Sequence, residues 1–324
     1  MGVNLRSLVK GNSIELKQLS GKRIAIDAYN WIYQFVLTIR LENGMPLMNS
    51  SNKLTSHLNG LFYRTINLLE NNIIPIFVFD GKYPEIKRKE IERRKKIKEE
   101  MKILATTSEE NSRYLLQSYT IDNYTIDSSK KLLKLMGIPI VQAPEEGEAE
   151  AAYLTISNKA DYVASQDYDA FLFGARRIVR NLNIAGKRKV PNKAVFKSIK
   201  PEEIILDKLL NDLGIDREKL ILIAMFLGTD YNEGVKGIGP KKAISIVKKE
   251  SKEYILSNYD FGCEDPKFVF NYFLNPPVED VENQTLVKLD RENLIKFLVE
   301  ENDFSLERVT EALDRIKRRD AFLA

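Results

Sequence analysis

Seven acidic residues stand in settings where acids can do chemistry. Asp27 follows the apolar run Ile24-Ala25-Ile26, and Asp80 follows the run Ile73–Phe79. Glu146 and Glu148 come just after Ala143-Pro144, at the start of a helical pattern. Asp167 and Asp169 form an Asp-x-Asp beyond Tyr162-Val163-Ala164-Ser165, and Asp230 lies in Leu227-Gly228-Thr229-Asp230-Tyr231. Any one of these is ordinarily a turn former, a helix cap or a partner for a helix dipole. Repetition of the setting argues for a shared site. Clustered carboxylates repel, which raises their pKa values and calls for cations. Oxygen donors with no His or Cys beside them suit Mg²⁺ or Mn²⁺ rather than zinc. Two such ions about 3.5–4 Å apart are a known arrangement for in-line phosphodiester hydrolysis.

Composition narrows the alternatives. The 324 residues include 50 Lys+Arg, 46 Asp+Glu, one Cys and one His, for a net charge of +4. A lone Cys263 excludes a disulfide framework and a Cys-based zinc site. A lone His57 leaves Ser-His-Asp chemistry only if that residue is the base. The longest clean apolar run, Leu220–Leu227, is far short of the roughly 20 residues that span a bilayer. The N-terminus lacks a secretory signal. A soluble, intracellular protein with no membrane association is expected.

Short apolar strands alternate with helices. Strands are predicted at Ile24–Ile26, Ile73–Phe79, Ile138–Val141 and Tyr162–Ser165. Helices are predicted from Ile32 to Ile39, over Ser56–Glu70 and over Glu146–Ile156. This is an α/β fold with a mostly parallel central sheet flanked by helices, whose crevice lies outside the carboxyl ends of the strands. From Pro201 onward the chain reads as helical. Lys82–Lys102 holds ten Lys/Arg and five Glu with few large apolar residues. It leaves an acidic strand end, so it is either a solvated surface helix or an excursion facing nucleic acid. Ala105–Asp127 is polar and reads as mobile. Gly234-Val235-Lys236-Gly237-Ile238-Gly239-Pro240-Lys241-Lys242-Ala243 places Gly237 and Gly239 before a Pro-initiated helix start, a phosphate site. It lacks the ending of a Walker A loop. It fits a helix-hairpin-helix that grips a DNA backbone.

Together these strings resemble the flap endonucleases, XPG-like structure-specific 5′-nucleases, and the archaeal ones most. The resemblance runs from Met1-Gly2-Val3 to about Lys317. Its anchors are Ile26-Asp27-Ala28, Tyr33-Gln34-Phe35, Thr55-Ser56-His57-Leu58, Phe62-Tyr63-Arg64-Thr65, Val78-Phe79-Asp80-Gly81, Ala143-Pro144-Glu145-Glu146-Gly147-Glu148-Ala149, Ser165-Gln166-Asp167-Tyr168-Asp169 and Leu227-Gly228-Thr229-Asp230-Tyr231.

The resemblance implies a Mg²⁺-dependent 5′-flap endonuclease, with 5′–3′ exonuclease activity, of replication (Okazaki fragment maturation) and repair. Its substrates would be branched DNA: a 5′ flap or a nicked or gapped duplex. Asp27, Asp80, Glu146 and Glu148 would hold one ion, and Asp167, Asp169 and Asp230 the second, with Mn²⁺ able to substitute. Tyr33 would stack on a base near the scissile phosphate. Lys87 and Arg94, on a helical arch over the site, would contact that phosphate. Arg40, Arg64 and Gly228 match DNA-contacting positions, and Gly2 would bring the processed N-terminus near the site. Gly237, Gly239, Lys241 and Lys242 would bind the downstream duplex, with a K⁺ ion. Thr55, Ser305 and Arg308 match a pocket for a one-nucleotide 3′ flap, where Asn302 replaces the Lys of some relatives. His57 is then structural.

Within one compact nuclease domain the resemblance suggests an N-terminal region at 1–100 and a connector at 101–127. A second nuclease region with the hairpin spans 128–258, and a C-terminal helical region 259–324. A monomer is expected, with the sliding clamp PCNA as a partner. The family's clamp-docking motif is not seen in Arg319–Ala324, so either the chain is truncated or a clamp docks elsewhere. A related 5′-exonuclease or junction resolvase, an inactive DNA-binding or clamp-scaffold protein, and an Asp-x-Asp phosphatase are the rival readings. One choice stays open. Helix spacing pairs Glu146 with Glu150, whereas the resemblance pairs Glu146 with Glu148 and leaves Glu150 solvated or behind the ligands.

Overall fold

The computed structural model describes residues 3, 5–107, 119–183, 187–189 and 196–320. Its centre is a seven-stranded sheet. The strands in chain order are β1 (Asn12–Ser13), β2 (Arg23–Asp27), β3 (Ile74–Phe79), β4 (Ile140–Gln142), β5 (Tyr162–Ala164), β6 (Arg177–Arg180), a separate ribbon of β7 (Lys187–Lys189) and β8 (Phe196–Ser198), and β9 (Glu202–Ile205). The spatial order is β1-β9-β6-β5-β2-β3-β4. From β6 through β4 all neighbours are parallel. The chain runs outward from β2 through β3 to β4, then returns to lay β5 on the other side of β2. That reversal opens a crevice at the carboxyl ends of β2 and β5.

Side chains alternate across the sheet, as a pleat requires. Ala25, Ile76, Val78, Val141 and Val163 face one core, with helices Gly147–Ile156 and Arg217–Leu227. Ile24, Ile26, Phe77, Phe79 and Ala164 face the other. There they meet helices Ala28–Thr38, Ser56–Glu70 and Asn123–Leu135, together with Leu294, Phe297, Val309 and Leu313 near the C-terminus.

Three expectations are corrected. Glu202–Ile205 is a strand, antiparallel to both β6 and β1. Four residues are too few to show a period, and the pairing satisfies an otherwise bare edge of β6. The strand read at Ile138 begins at Ile140, because Ile138 still donates its N–H to Leu133 in the turn closing the preceding helix. Asp127 lies inside the helix Asn123–Leu135, whose start is capped by Asp122 accepting from Thr125 N–H at 2.8 Å. Of the segment read as mobile, residues 108–118 lie outside the described ones. The basic run forms a one-turn helix, Glu85–Lys87, leading into the helix Arg88–Thr107, the arch helix below. Among the described side chains of this helix, 88–104, none joins either core cluster.

His57 is fully buried, with Nε2 at 2.8 Å from Ser128 Oγ. Ser128 donates its own hydroxyl to the Tyr124 carbonyl at 2.6 Å. The ring must therefore carry its proton on Nε2, leaving Nδ1 buried without a partner. Burial pushes the imidazole pKa down to about 3. The unfolded chain takes up this proton near pH 6.5, so the group's contribution is level above that pH and is lost as pH falls toward 3. Urea unfolding should show it. From pH 7 to pH 5, His57→Phe should lose about 2 kcal/mol less stability than the parent. Equal losses would remove His57 from the acid response.

Candidate active site

Each acid is delivered by a different element. Asp27 ends β2, and Asp80 follows β3. Glu146 is the residue before helix Gly147–Ile156, with extended backbone, and Glu148 lies in its first turn. Asp167 and Asp169 follow β5, and Asp230 lies just beyond helix Arg217–Leu227. All seven line one cavity of about 200 Å³, shared with Tyr29, Asn30, Lys87 and Arg94.

The fold holds these carboxylates with neutral donors. Asp27 accepts the Asn30 N–H at 3.0 Å, so it caps its helix and also faces the cavity. Asp80 accepts the Gly147 N–H at 2.8 Å. A Cβ on Gly147 would stand 2.6 Å from that Asp80 oxygen, so only glycine permits the approach. Asp169 accepts the Val3 N–H at 2.7 Å, which brings the N-terminal segment to the site. Gly2 itself lies outside the described residues. Ser165 donates to Glu148 at 2.7 Å and accepts from the Asp167 N–H at 3.1 Å.

Burial and mutual repulsion oppose ionisation. Burial, with smaller repulsion from Glu146, raises Asp27 to about 6. Burial and Asp27 raise Asp80 to about 7, and burial with Asp230 and Asp167 raises Asp169 to about 7. Glu148 is raised well above the carboxylate range by burial, then by Asp169, Asp27 and Asp167. Two basic side chains answer part of this charge. Lys87 Nζ lies 2.8 Å from Glu146 and 3.3 Å from Asp230, and Arg94 Nη2 lies 2.7 Å from Asp230. Burial works against Asp230 too, yet Lys87 and Arg94 hold its carboxyl below the usual range. At Glu146 burial outweighs Lys87, and the pKa is raised. Asp230 is therefore held lower than Glu146 because the Arg94 guanidinium adds to the shared ammonium there.

Seven acids share the cavity with two basic side chains, an excess of five acidic groups. That excess, on hard oxygen donors, fits divalent cations. Among the described residues no three acids are yet closed to ligand spacing around one point. The Lys87 ammonium stands between two of them.

The other predicted residues fall around this cavity and along the flanks of the fold. Tyr33 is half-buried on the first helix, with Lys98 of the arch helix 5.6 Å from its ring centroid. Arg40 is exposed beside the turn joining Arg40 to Pro46. Arg64 points inward, its Nε donating to the Leu182 carbonyl at 2.5 Å. Thr55 is buried, and the exposed Arg308 donates its N–H to Ser305 Oγ. Between them, Asn49 and Ser50 bond to Glu301 and Asp303. Asn302 is buried and donates to the Phe297 carbonyl at 2.8 Å. Gly228 ends its helix at φ +91°, facing the Glu233 carbonyl. Gly239 and Pro240 begin the helix Pro240–Lys249, and a Cβ at Gly237 or Gly239 would meet open space. That room, beside exposed Lys241 and Lys242, leaves the turn accessible to a large ligand.

Glu150 is neither a cavity residue nor solvated. It is fully buried and accepts the Glu279 N–H at 3.0 Å, anchoring the segment after helix Pro266–Leu274. The extended backbone at Glu146 turns Glu146 and Glu148 toward the crevice and sends Glu150 away. Sequence reasoning missed Glu90, which accepts from Arg94 Nε at 2.6 Å and from Arg93 at 2.6 Å. Its signal was the three- and four-residue spacing to two arginines.

Residues 1–101 match the XPG N-terminal domain and residues 137–230 match the XPG I-region. The chain is 48% identical to Flap endonuclease 1 of Thermococcus onnurineus, over 98% of this chain and 95% of that protein. Its fold is similar to that of flap endonuclease-1 from Methanococcus jannaschii, with TM-score 0.78, 38% identity and 100% of both chains covered. It is also similar to the catalytic core of Rad2 in complex with DNA substrate, with TM-score 0.73 and 25% identity over 98% of this chain and 100% of that one.

Alanine at the three glutamates separates their roles. Glu146→Ala and Glu148→Ala should lose several orders of magnitude in cleavage at saturating Mg²⁺. Glu150→Ala should stay within about tenfold, a barrier change of at most about 1.4 kcal/mol. It should instead lose about 1–3 kcal/mol of stability, from the stranded Glu279 N–H. An inactive Glu150→Ala beside an active Glu148→Ala would reverse the assignment.

Proposed function

The chain belongs to the XPG nucleases of the flap-endonuclease type and is a DNA-hydrolysing enzyme, and from that premise we propose how its own residues make the cut. The reading is a 5′-flap endonuclease that hydrolyses the phosphodiester at the junction of single and double strand. The observation that carries it is the meeting of seven carboxylates with Lys87 and Arg94 in one cavity. Asp27, Asp80, Glu146 and Glu148 would hold one divalent cation, and Asp167, Asp169 and Asp230 the other. The all-oxygen donor set favours Mg²⁺, with Mn²⁺ as a substitute. When bound, two such ions supply an activated water and stabilise the leaving oxygen.

The remaining steps belong to the chain. Lys87 and Arg94 already lie among the acids, and a scissile phosphate entering there meets both. They offset the charge that develops on it. Tyr33 offers a ring face for the adjoining base once Lys98 yields it. The hairpin turn at Gly237–Lys242, with Arg40 and Arg308, holds duplex backbone and reads no sequence. Substrate choice therefore rests on junction shape. Exonuclease action on a 5′ end uses the same centre. A ligatable nick as product suits removal of displaced 5′ strands in replication and repair. A K⁺ ion at the hairpin and a sliding clamp as partner rest on family resemblance alone.

A labelled double-flap DNA tests this reading. Cleavage at the junction should require Mg²⁺ or Mn²⁺ and stop in chelator, and persistence in chelator would overturn it. For the arch residues, Lys87→Ala and Arg94→Ala should lower the single-turnover rate by about 10²-fold or more while binding changes a few-fold. The reverse pattern would make them guides for DNA only.

A further inference from the structure

Ser165 is the first residue beyond β5 and is 3% exposed. Its hydroxyl makes two contacts of different kinds. The Asp167 N–H donates to Oγ at 3.1 Å, a local turn that a serine forms on many loops. The hydroxyl proton goes elsewhere, to Glu148 Oε1 at 2.7 Å, across 17 residues of chain. A serine hydroxyl carries one proton. With the Asp167 N–H donating into one lone pair, the hydroxyl proton is directed at Glu148 Oε1, and a carboxylate that holds a cation can only accept it. One hydroxyl therefore joins the loop after β5 to the first turn of helix Gly147–Ile156. It ties down one oxygen of Glu148 and leaves the other free to face the cavity. On the two-ion reading above, which this step rests on, Glu148 and Asp167 serve different ions.

We propose that Ser165 is a positioning residue that sets Glu148 and Asp167 relative to one another, and so sets the divalent-ion affinity of the paired sites. It reaches the reaction only through those two acids. Its loss should therefore appear as weaker ion binding rather than as a slower step at full occupancy.

The test compares the full chain with Ser165→Ala, Ser165→Cys and Ser165→Thr. The readouts are Mn²⁺ binding to the DNA-free protein by calorimetry, the Mg²⁺ concentration for half-maximal single-turnover cleavage, and thermal unfolding in chelator. Ser165→Ala should weaken Mn²⁺ binding by about 10-fold or more, as loss of a ligand-orienting bond does. The half-maximal Mg²⁺ concentration should rise in step, with the rate at saturation within a few-fold of the parent. Ser165→Cys fills the same space with a poor donor and should follow Ser165→Ala. Ser165→Thr keeps the hydroxyl and should restore tight binding. The proposal falls if Ser165→Cys binds Mn²⁺ like the parent, or if Ser165→Thr is as weak as Ser165→Ala while melting normally. Failure of the parent itself to bind Mn²⁺ would sink the two-ion reading instead, and is distinguishable on that ground.

Discussion

Like charge forced into a small buried space is the constraint from which the rest of this molecule follows. At an effective dielectric constant near 20, two carboxylates about 4 Å apart repel by roughly 4 kcal/mol. Seven acids at one cavity cannot be tolerated without donors from every side. The parallel sheet supplies the convergence, because it brings several chain segments to one end at once. Backbone N–H groups of Val3, Asn30 and Gly147 supply part of the compensation. Lys87 and Arg94 supply the charged part, and they come from outside the sheet.

That division explains how the two faces of the sheet share the task. One face carries the helix that begins just after Glu146 and the one that ends before Asp230. The other carries the helix capped by Asp27, which also bears Tyr33. The C-terminal segments return to both. Glu150 fastens the stretch at Glu279 to the first face, and Leu294 to Leu313 pack on the second. The centre is therefore braced from parts of the chain distant in sequence, and the stretch from Glu279 onward supports acids it does not itself contain.

What could be read from the sequence was whatever depends on local pattern. Apolar runs ending in Asp marked β2 and β3, and the helix Ser56–Glu70 occupies the span its periodicity predicts. The grouping of Asp27, Asp80, Asp167 and Asp169 was also legible, since strand ends in an α/β sheet share one edge, and the resemblance added Glu146, Glu148 and Asp230. What escaped depends on partners elsewhere. Glu202–Ile205 is a strand because β1 and β6 flank it. Glu150 is buried because Glu279 comes to it. Arg64 looks like any exposed arginine until the Leu182 carbonyl arrives to take its guanidinium. The choice between Glu148 and Glu150 turned on one backbone conformation, at Glu146, which no side-chain spacing reports.

The arch helix is attached to this body by charge. Lys87 just before it, then Arg94 and Lys98, meet Glu146, Asp230 and the Tyr33 ring, while Ile97 and Ile103 remain exposed. An attachment that buries little apolar surface carries little heat-capacity change, whereas the cores beneath it carry a large one. The two parts therefore obey different variables. The heat-capacity response to warming and cooling comes from the sheet and its helices, with little contribution from the arch contact. Dissolved salt, which screens exposed charges within about 10 Å at 0.1 M, acts on the arch contact through the half-exposed Arg94 and far less through the buried Lys87–Glu146 pair. The opening over the acids therefore answers to the ionic medium around the protein as well as to its fold.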